Sequence, residues 1–307
     1  MAAMIPAFDG DDPRERFRDA DRGQLLLISG LVVAVSLVAL VVLLNASIYG
    51  ENVATRGVEA ADGEALEVRA AVVEETGARL DAANRDGSTS DADIEASVDA
   101  IDRNLTARYA SRGGIAAVDL LSTTPGQYLT GSVNDSTTIG EVDRIRAFSV
   151  ANGSDLPSTE AAAFTVVLND TAANTTHEVY LYENDGDVVV ARGENGSTPT
   201  ERCRYPASGD PAVLDLTGDR LDGEPCPMVW PESLSDEDDG PFDIEFENAD
   251  EAEAEVTATV GTDANPESDT ALTVRDAVYA ATIEFRYRTA DLRFETPIRV
   301  APGEPDA

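Results

Sequence analysis

The sequence contains no lysine, and acidic residues far outnumber the basic ones. All 22 basic residues are arginines, against 59 aspartates and glutamates, and the formal net charge is −37. Because no basic patch is available to neutralise phosphates, we expect no nucleic-acid partner. A charge of this size repels itself in dilute salt but is screened within about 3 Å at molar salt. The composition therefore favours an extremely salty environment.

Histidine and cysteine are also scarce, with one histidine and two cysteines in 307 residues. His177 is distant in sequence from Cys203 and Cys226, so we expect no metal site. The sequence has no G-x-S-x-G motif to give His177 a nucleophile, and it has no glycine-rich phosphate loop. We therefore predict no catalytic residue, no cofactor and no enzymatic activity. His177 begins a predicted strand, where we expect it to be at the surface or half-buried.

Two groups of closely spaced aspartates are candidates for calcium binding. The first group is Asp185 and Asp187, and the second is Asp215, Asp219 and Asp222. Neither spacing matches an EF-hand, and solvated turns explain both groups better. Carboxylate pairs for acid–base catalysis are not distinguishable from the general acidity of the chain.

One long apolar segment covers residues 25–44, which read LLLISGLVVAVSLVALVVLL without a charge. Twenty residues of α-helix span about 30 Å, the thickness of a hydrocarbon core, so we predict a transmembrane helix at 24–45. Four arginines precede the segment and one lies close behind it: Arg14, Arg16, Arg18 and Arg22, then Arg56. The positive-inside rule then predicts a single-pass cell-membrane protein with a cytoplasmic N-terminus and an extracellular C-terminal domain. A cleavable signal peptide is disfavoured, because no clear small-x-small site follows the segment.

Sequons and cysteines are consistent with an extracellular domain. N-x-S/T sequons occur at Asn104, Asn134, Asn152, Asn169, Asn174 and Asn195, and at Asn45 beside the apolar segment. They are possible glycosylation sites, although a chain rich in Asn, Ser and Thr also produces sequons by chance. Cys203 and Cys226 are expected to form one disulfide in an oxidising compartment, which would stabilise the fold by about 3–4 kcal/mol. Trp230, just past Cys226, is expected in the core near this disulfide.

Arg22, Gly23 and Gln24 stand directly before the apolar segment. A charged residue, Gly and Gln ahead of a hydrophobic helix resembles the processing site of archaeal type IV pilins and archaellins. The resemblance implies cleavage between Gly23 and Gln24 by a prepilin peptidase, after which the helix would form a filament core with other pilin-like subunits. Many pilins carry Glu at the fifth mature position, where this chain has Ile28, and this departure bears on filament assembly more than on processing. The wider layout is similar to that of a group of uncharacterised haloarchaeal membrane proteins.

The segment after the apolar run favours helix, because residues 51–84 are rich in Ala, Glu, Val and Arg and contain no Pro. A loop signal follows at 84–88, and Ser90 then caps a second predicted helix. Apolar residues recur in it at helical spacing: Ile94, Val98, Ile101, Leu105 and Tyr109. We expect this apolar face to pack on its own domain rather than on a partner.

From about residue 113 the pattern is typical of β-structure. We predict a strand at 164–168 and two more at 178–182 and 188–190, joined through Asp185 and Gly186 in a hairpin. Near the C-terminus, alternating apolar residues predict a longer hairpin with one buried and one solvated face, and its strands cover 279–287 and 292–300.

Together these features predict an α+β fold with a transmembrane helix, an amphipathic helix and a β-rich region of antiparallel hairpins. The expected domains are a cytoplasmic leader at 1–23, the transmembrane helix at 24–45, a helical stalk at 46–112 and a β-rich acidic ectodomain at 113–307. The leading functional hypothesis is a non-catalytic, pilin-like structural or assembly protein at the cell surface, with the lipid bilayer, a prepilin peptidase and other pilin-like subunits as partners. A plain signal-anchored binding or adhesion module is the alternative, and an extracytoplasmic enzyme ranks third.

Overall fold

The computed structural model describes most of the chain beyond residue 62. The described residues are 37, 40, 63–111, 114–153, 156–208, 211–235, 240–267, 272–290 and 292–305. The processing residues Arg22, Gly23 and Gln24 lie outside them, as do Asn45 and all but two positions of the predicted transmembrane helix at 24–45. No helix within the described ranges is long and apolar enough to cross a membrane. Residues Glu64–Ala307 form one compact unit.

The described part of the chain is built mainly from β-strands, so the predicted class, α+β with a transmembrane helix, is wrong for it. Fifteen strands form two antiparallel sheets, against three α-helices in the described ranges. The local patterns underestimated the strand content. Strand β1 (Ile115–Ser132) runs for 18 residues although it contains Pro125 and Gly126, and β14 (Thr273–Arg288) runs for 16. Two register shifts between these strands interrupt the simple alternation that identifies a strand in a sequence.

The remaining elements have the following bounds. The helices are α1 at 63–86, α2 at Asp91–Ala110 and α3 at Ala249–Ala252. Sheet A has the order β10 (Glu224–Pro225), β9 (Arg220–Leu221), β8 (Val213–Asp215), β3 (Ile145–Ala151), β12 (Glu255–Val260), β1, β14 and β15 (Arg293–Val300). Sheet B has the order β13 (Asn265–Glu267), β2 (Thr138–Val142), β11 (Phe242–Glu247), β4 (Phe164–Asp170), β5 (Thr175–Asn184), β6 (Asp187–Glu194) and β7 (Thr200–Pro206).

The predicted hairpins are confirmed. The strand predicted at 164–168 is β4, and β5 pairs with β6 around Asp185 and Gly186. These two residues have φ angles of 57° and 85°, the left-handed conformation that a two-residue Asp-Gly turn requires. At the C-terminus, β14 pairs with β15, and the predicted row of apolar side chains on β14 is buried.

Sheets A and B pack face to face around the larger hydrophobic core, which we call the sandwich core. Its side chains come from alternate positions of the facing strands, as the period-2 geometry of a strand requires. Trp230 is 6% exposed and contacts Phe148 of sheet A and Phe242 of sheet B edge-to-face, with ring centroids 6.5 and 5.9 Å away. This places Trp230 in the core, as the sequence predicted.

A second core, the helix–sheet core, lies between the first two helices and strands β1, β14 and β15 of sheet A. Val72 and Leu80 of α1 are each 2% exposed, and Ile94 and Val98 of α2 are 1% and 2% exposed. Burying each of these side chains is worth about 1.5–3 kcal/mol. The prediction that the apolar face of α2 packs on its own domain is therefore confirmed.

An irregularity in β14 joins helix α1 to sheet A. The register of β14 against β1 shifts between the pairs Thr124–Ala280 and Pro125–Val278. Pairing with β15 begins only at residue 281, so the backbone of Val278 needs another partner. Asn84, 1% exposed in the last turn of α1, supplies one: its Nδ2 donates to the Val278 carbonyl (3.0 Å), and its Oδ1 accepts from the Val278 N–H (2.9 Å). Asn84 was predicted in a loop, but it lies in the last turn of the helix, where its side chain makes these two hydrogen bonds with the Val278 backbone.

Arg146 of β3 completes the junction from the other side and has no solvent exposure. Its guanidinium donates to the carbonyls of Tyr279 (2.6 Å), Val278 (3.0 Å) and Pro302 (3.0 Å) and to the Asp81 carboxylate (2.6 Å). A buried cation is costly unless its donors are bonded and its charge is countered. Here all three nitrogens of the guanidinium donate, and Asp81 supplies the opposite charge. One side chain thus connects α1, β3, β14 and the C-terminal segment.

Candidate functional site

The loop at 226–235, between β10 and β11, brings together three groups that stand out in the sequence. It begins at one cysteine, it passes over the aspartate-rich turns at 215–222, and it ends beside the only histidine. The loop at 226–235 is therefore the candidate functional site.

Cys203 of β7 and Cys226 of the loop form the predicted disulfide, with their Cα atoms 5.2 Å apart. Cys226 is fully buried in the sandwich core. The bond ties the edge strand of sheet B to the loop and closes 23 residues of chain. In the chain-entropy account it contributes about 3 kcal/mol.

Asp219 organises the loop. Its φ angle of 51° is left-handed, and its carboxylate accepts hydrogen bonds from the N–H groups of Met228 (3.1 Å), Val229 (2.9 Å) and Trp230 (3.1 Å). Its own carbonyl accepts from the N–H of Cys226 at 2.7 Å. Asp219 therefore fixes the path of the chain immediately after the disulfide, and its oxygens are already committed to protein donors.

The neighbouring aspartates also bond to nearby backbone. Asp215 accepts from the N–H of Gly218 (2.9 Å), and Asp222 accepts from the N–H of Val213 (2.8 Å). Burial raises the pKa of Asp215, against the opposing effect of its hydrogen bonds. No group of three or more His, Cys, Asp or Glu side chains suited to a metal ion occurs in the part of the chain that the structure describes. The carboxylates of Asp215, Asp219 and Asp222 thus bind backbone N–H groups of their own turns and of the loop.

His177 is 4% exposed, so the expectation of a surface or half-buried side chain was wrong. It shares the inward side of β5 with Val179 and Leu181, and this alternation was readable in the sequence. Its Nε2 lies 3.1 Å from the hydroxyl of Ser233, which is exposed. Its Nδ1 has no hydrogen-bond partner among the described residues and lies 3.8 Å from the Glu194 carboxylate.

The spatial arrangement of a serine hydroxyl, an imidazole and a carboxylate at Ser233, His177 and Glu194 resembles the triad of a serine hydrolase, but the geometry does not support that chemistry. A distance of 3.8 Å is too long for a hydrogen bond, so Glu194 does not orient the imidazole or fix its tautomer. Burial lowers the pKa of His177, Arg192 acts in the same direction, and the carboxylates of Glu194 and Asp170 oppose them. The imidazole is therefore best understood as a neutral side chain that fastens the loop to sheet B.

A cavity of about 170 Å³ lies beside the loop, with Arg192, Asp219, Trp230 and Glu232 among its lining residues. Arg192 donates to the carbonyls of Met228 (3.0 Å) and Trp230 (2.8 Å). The cationic group of the cavity is thus already engaged with the loop, as is the carboxylate of Asp219. Both of these charges hold the loop rather than a ligand.

The sequons in the described part of the chain occupy different environments. Asn152 is buried, Asn134 and Asn169 are half-buried, and Asn104, Asn174 and Asn195 are exposed. The sequon pattern is the same at all six asparagines, so the difference in their solvent exposure is visible only in the fold.

A family model matches residues 19–181, more than half of the chain. The chain belongs to DUF7261, a family of unknown function. The DUF7261 match runs from the segment before the apolar run through α1 and α2 to β5, so it includes Asn84, Arg146 and His177. The disulfide and the loop at 226–235 lie beyond the matched residues. No curated protein and no solved structure matches the chain.

Proposed function

We propose that this protein is a non-catalytic structural component of the cell surface, held at the membrane by its apolar segment at 25–44. The β-sandwich would lie outside the cell, as the arginine bias before that segment favours. The disulfide supports this compartment, because such bonds persist mainly under oxidising conditions.

The docking of α1 is the observation that carries a structural role. This helix follows the apolar segment in the chain, and it is bound to the sandwich unit rather than hanging free from it. Its apolar face lies in the helix–sheet core, and Asp81 and Asn84 bond to Arg146 and Val278 in the sheet. A helix fixed by both packing and buried polar contacts suits a subunit that must transmit force or hold a defined orientation.

A pilin-like pathway is the finer form of the proposal. In it, a prepilin peptidase of a haloarchaeal cell cuts between Gly23 and Gln24, and the apolar segment then joins those of other pilin-like subunits. N-terminal sequencing of the protein purified from membranes tests this, with a start at Gln24 expected. Gly23→Phe should leave the leader uncleaved, whereas Gly10→Phe, which places the same bulk elsewhere in the leader, should not.

Ile28 favours a second candidate, a plain anchored binding or adhesion module. It occupies the position where many pilins have the Glu that sets subunit register. If the mature protein retains its leader, this second candidate replaces the pilin-like one. Protease added to intact cells tests what both share: digestion of the sandwich supports a surface protein, and full protection until lysis rejects it.

The acidic composition supports a molar-salt environment. Folding concentrates the negative charges, and salt screens their repulsion, so the thermal midpoint of the full chain in detergent should fall as KCl is lowered from molar to tens of millimolar. Exposed ion pairs such as Arg79–Glu75 offset little of the repulsion, at about 0–1 kcal/mol each. A midpoint unchanged across the salt series would contradict the halophilic interpretation.

A further inference from the structure

Six sequons lie in the described part of the chain, and the fold makes most of them poor acceptors for glycan transfer. Asn152 is 8% exposed, and its Oδ1 accepts from the Ala212 N–H at 2.7 Å. Asn169 lies within β4, half-buried and paired on both sides. Asn134 is half-buried, beside Thr137, which is 1% exposed. An attached glycan would have to displace packing or ladder contacts at these sites.

Asn104 is exposed, but its sequon is part of a continuous helix. It lies within α2 and not in a turn between elements. Sequons that accept glycans are expected in surface loops, where the chain is free to enter a transferase. The position of Asn104 therefore argues against it.

Asn174 and Asn195 satisfy both conditions, since each is exposed and each lies in a turn of sheet B. Asn174 ends the turn between β4 and β5, and Asn195 begins the connection from β6 to β7. No hydrogen bond from the Asn174 side chain is found within the described residues. The Asn195 Oδ1 accepts from the Thr176 N–H at 3.0 Å, a bond that does not use the Nδ2 atom that a glycan would occupy.

Asn174 and Asn195 share their turn conformation with other residues of the chain. Their φ angles of 52° and 51° are left-handed, a conformation that Asn, Asp and Gly tolerate best. The same conformation occurs at Asp185, Asp219 and Asp222 and also at Asn248, which no hydroxyl follows two residues later. Aspartate would also accept the bond at position 195. What distinguishes Asn174 and Asn195 is a primary amide followed two residues later by a hydroxyl, the pair that glycan transfer needs.

We infer that Asn174 and Asn195 are N-glycosylated and that their glycans form one patch at this end of sheet B. The two sites are neighbours, because the N–H of Asn195 donates at 2.8 Å to the carbonyl of Thr176, which lies in β5 two residues after Asn174. Each Asn Nδ2 would form a bond to the anomeric carbon of a lipid-phosphate-linked oligosaccharide. The sugar–phosphate bond breaks, the amide loses one proton, and the lipid phosphate leaves. The inference rests on the proposed surface location, where such a transferase would act.

Two neighbouring oligosaccharides would cover the turns at one end of sheet B with hydrated, flexible chains. Any contact with other subunits would then use other parts of the sandwich, such as the free edge of β15 or the outer surfaces of the helices. The end of sheet B that carries both turns would face solvent in the assembled state.

Glycopeptide mass spectrometry of the full chain, purified from membranes of its own cells, tests the inference. Modified Asn174 and Asn195 are expected, with Asn152 and Asn169 unmodified. Thr176→Ala should remove one glycan mass and Thr176→Ser should keep it; Ser197→Ala and Ser197→Thr form the matched pair for Asn195. These changes keep both asparagines. Thr176→Ala also removes the hydroxyl that donates to the Asn169 Oδ1, and Ser197→Ala removes the acceptor of the Glu194 N–H, whereas Thr176→Ser and Ser197→Thr retain a hydroxyl at each position.

Two results would overturn the inference. One is the absence of any glycan at Asn174 and Asn195, and the other is modification at buried Asn152 in their place. Protease digestion of intact cells from the same culture separates this failure from that of the proposed function. A sandwich digested from outside but free of glycans at these residues rejects only the glycan inference, whereas a protected sandwich rejects both.

Discussion

The sandwich core and the helix–sheet core share sheet A but are closed by different interactions. The sandwich core is sealed at its edge by a covalent bond between Cys203 and Cys226 and by a loop folded around Asp219. The helix–sheet core depends on Arg146, a buried cation with four hydrogen bonds. The disulfide acts mainly by reducing the conformational entropy of the unfolded chain, whereas the Arg146 hydrogen bonds satisfy buried polar groups in the folded chain. Mutations in the two regions should therefore act through different states.

Arg146 and His177 show the same contrast at the level of single side chains. Both are buried basic groups, but the guanidinium of Arg146 donates to a carboxylate and three carbonyls. His177 has one hydrogen bond to Ser233, and burial lowers its pKa, so it is neutral. Arg146 thus has four hydrogen bonds and a carboxylate partner in the interior, whereas His177 has one hydrogen bond.

The largest effect is expected at Arg146. Arg146→Met removes the donors while Asp81 and the carbonyls of Val278 and Tyr279 stay in place, so the free energy of unfolding should fall by about 3–5 kcal/mol. Denaturant unfolding of the full chain in detergent at molar salt, followed by Trp230 fluorescence, measures it. Arg79→Met, which removes an exposed pair with Glu75 on the same helix, should cost about 0–1 kcal/mol. Equal losses in the two variants would show that Arg146 has no special role.

The second-largest loss of stability is expected on removal of the disulfide. Replacing Cys203 and Cys226 by serine should lower the free energy of unfolding by about 3 kcal/mol, since a closed loop of 23 residues is released in the unfolded chain. Thiol labelling of denatured, unreduced wild-type protein provides the check on the bond itself and should label neither cysteine. If the serine variant is as stable as the wild type, the sandwich core is closed by packing and Asp219 alone.

The sequence predicted those elements whose signal is local. Asp185 and Gly186 predicted a hairpin, and the alternation of apolar and polar residues after Tyr279 predicted the C-terminal strands. It did not predict Arg146, because nothing near residue 146 reveals that a register shift at Pro125 will leave carbonyls of β14 without a strand partner. The long β1 was missed for the same reason, since its irregularities are explained only by distant strands.

The candidate site was predicted in part. Two cysteines in one chain were enough to predict their disulfide. The role of Asp219 was not predicted, because it depends on a loop after Cys226 that folds back over Asp219. Solvated turns were preferred to calcium for Asp215, Asp219 and Asp222, but the sequence does not show that backbone N–H groups donate to their carboxylates. His177 was expected at the surface or half-buried, although the alternation of apolar residues in β5 places it on the inward side of the strand.

Asp219 should matter less than the disulfide but more than its neighbours. Asp219→Ala leaves the N–H groups of Met228, Val229 and Trp230 without their acceptor, and we expect a loss of about 1–3 kcal/mol. Asp222→Ala is the matched control, because it is also an aspartate in a left-handed turn but accepts from only one described N–H, that of Val213. The same denaturant titration compares them. A control as damaging as Asp219→Ala would mean that the left-handed conformation, not the carboxylate, holds the loop.

The smallest expected effect concerns His177 and depends on pH. Its pKa in the folded state lies below the ordinary value of 6.5, so below that pH the unfolded chain binds a proton more readily than the folded one. The free energy of unfolding should therefore decrease as the pH falls through this range, and His177→Gln should lack that decrease. Carboxylates also titrate on acidification, but they do so in both proteins, so the difference between wild type and variant at molar salt isolates the histidine. The wild type should exceed the variant in stability by more at pH 7.5 than at pH 5.5. A constant difference across that range would mean that His177 is as easily protonated in the fold as in water, and its contrast with Arg146 would then disappear.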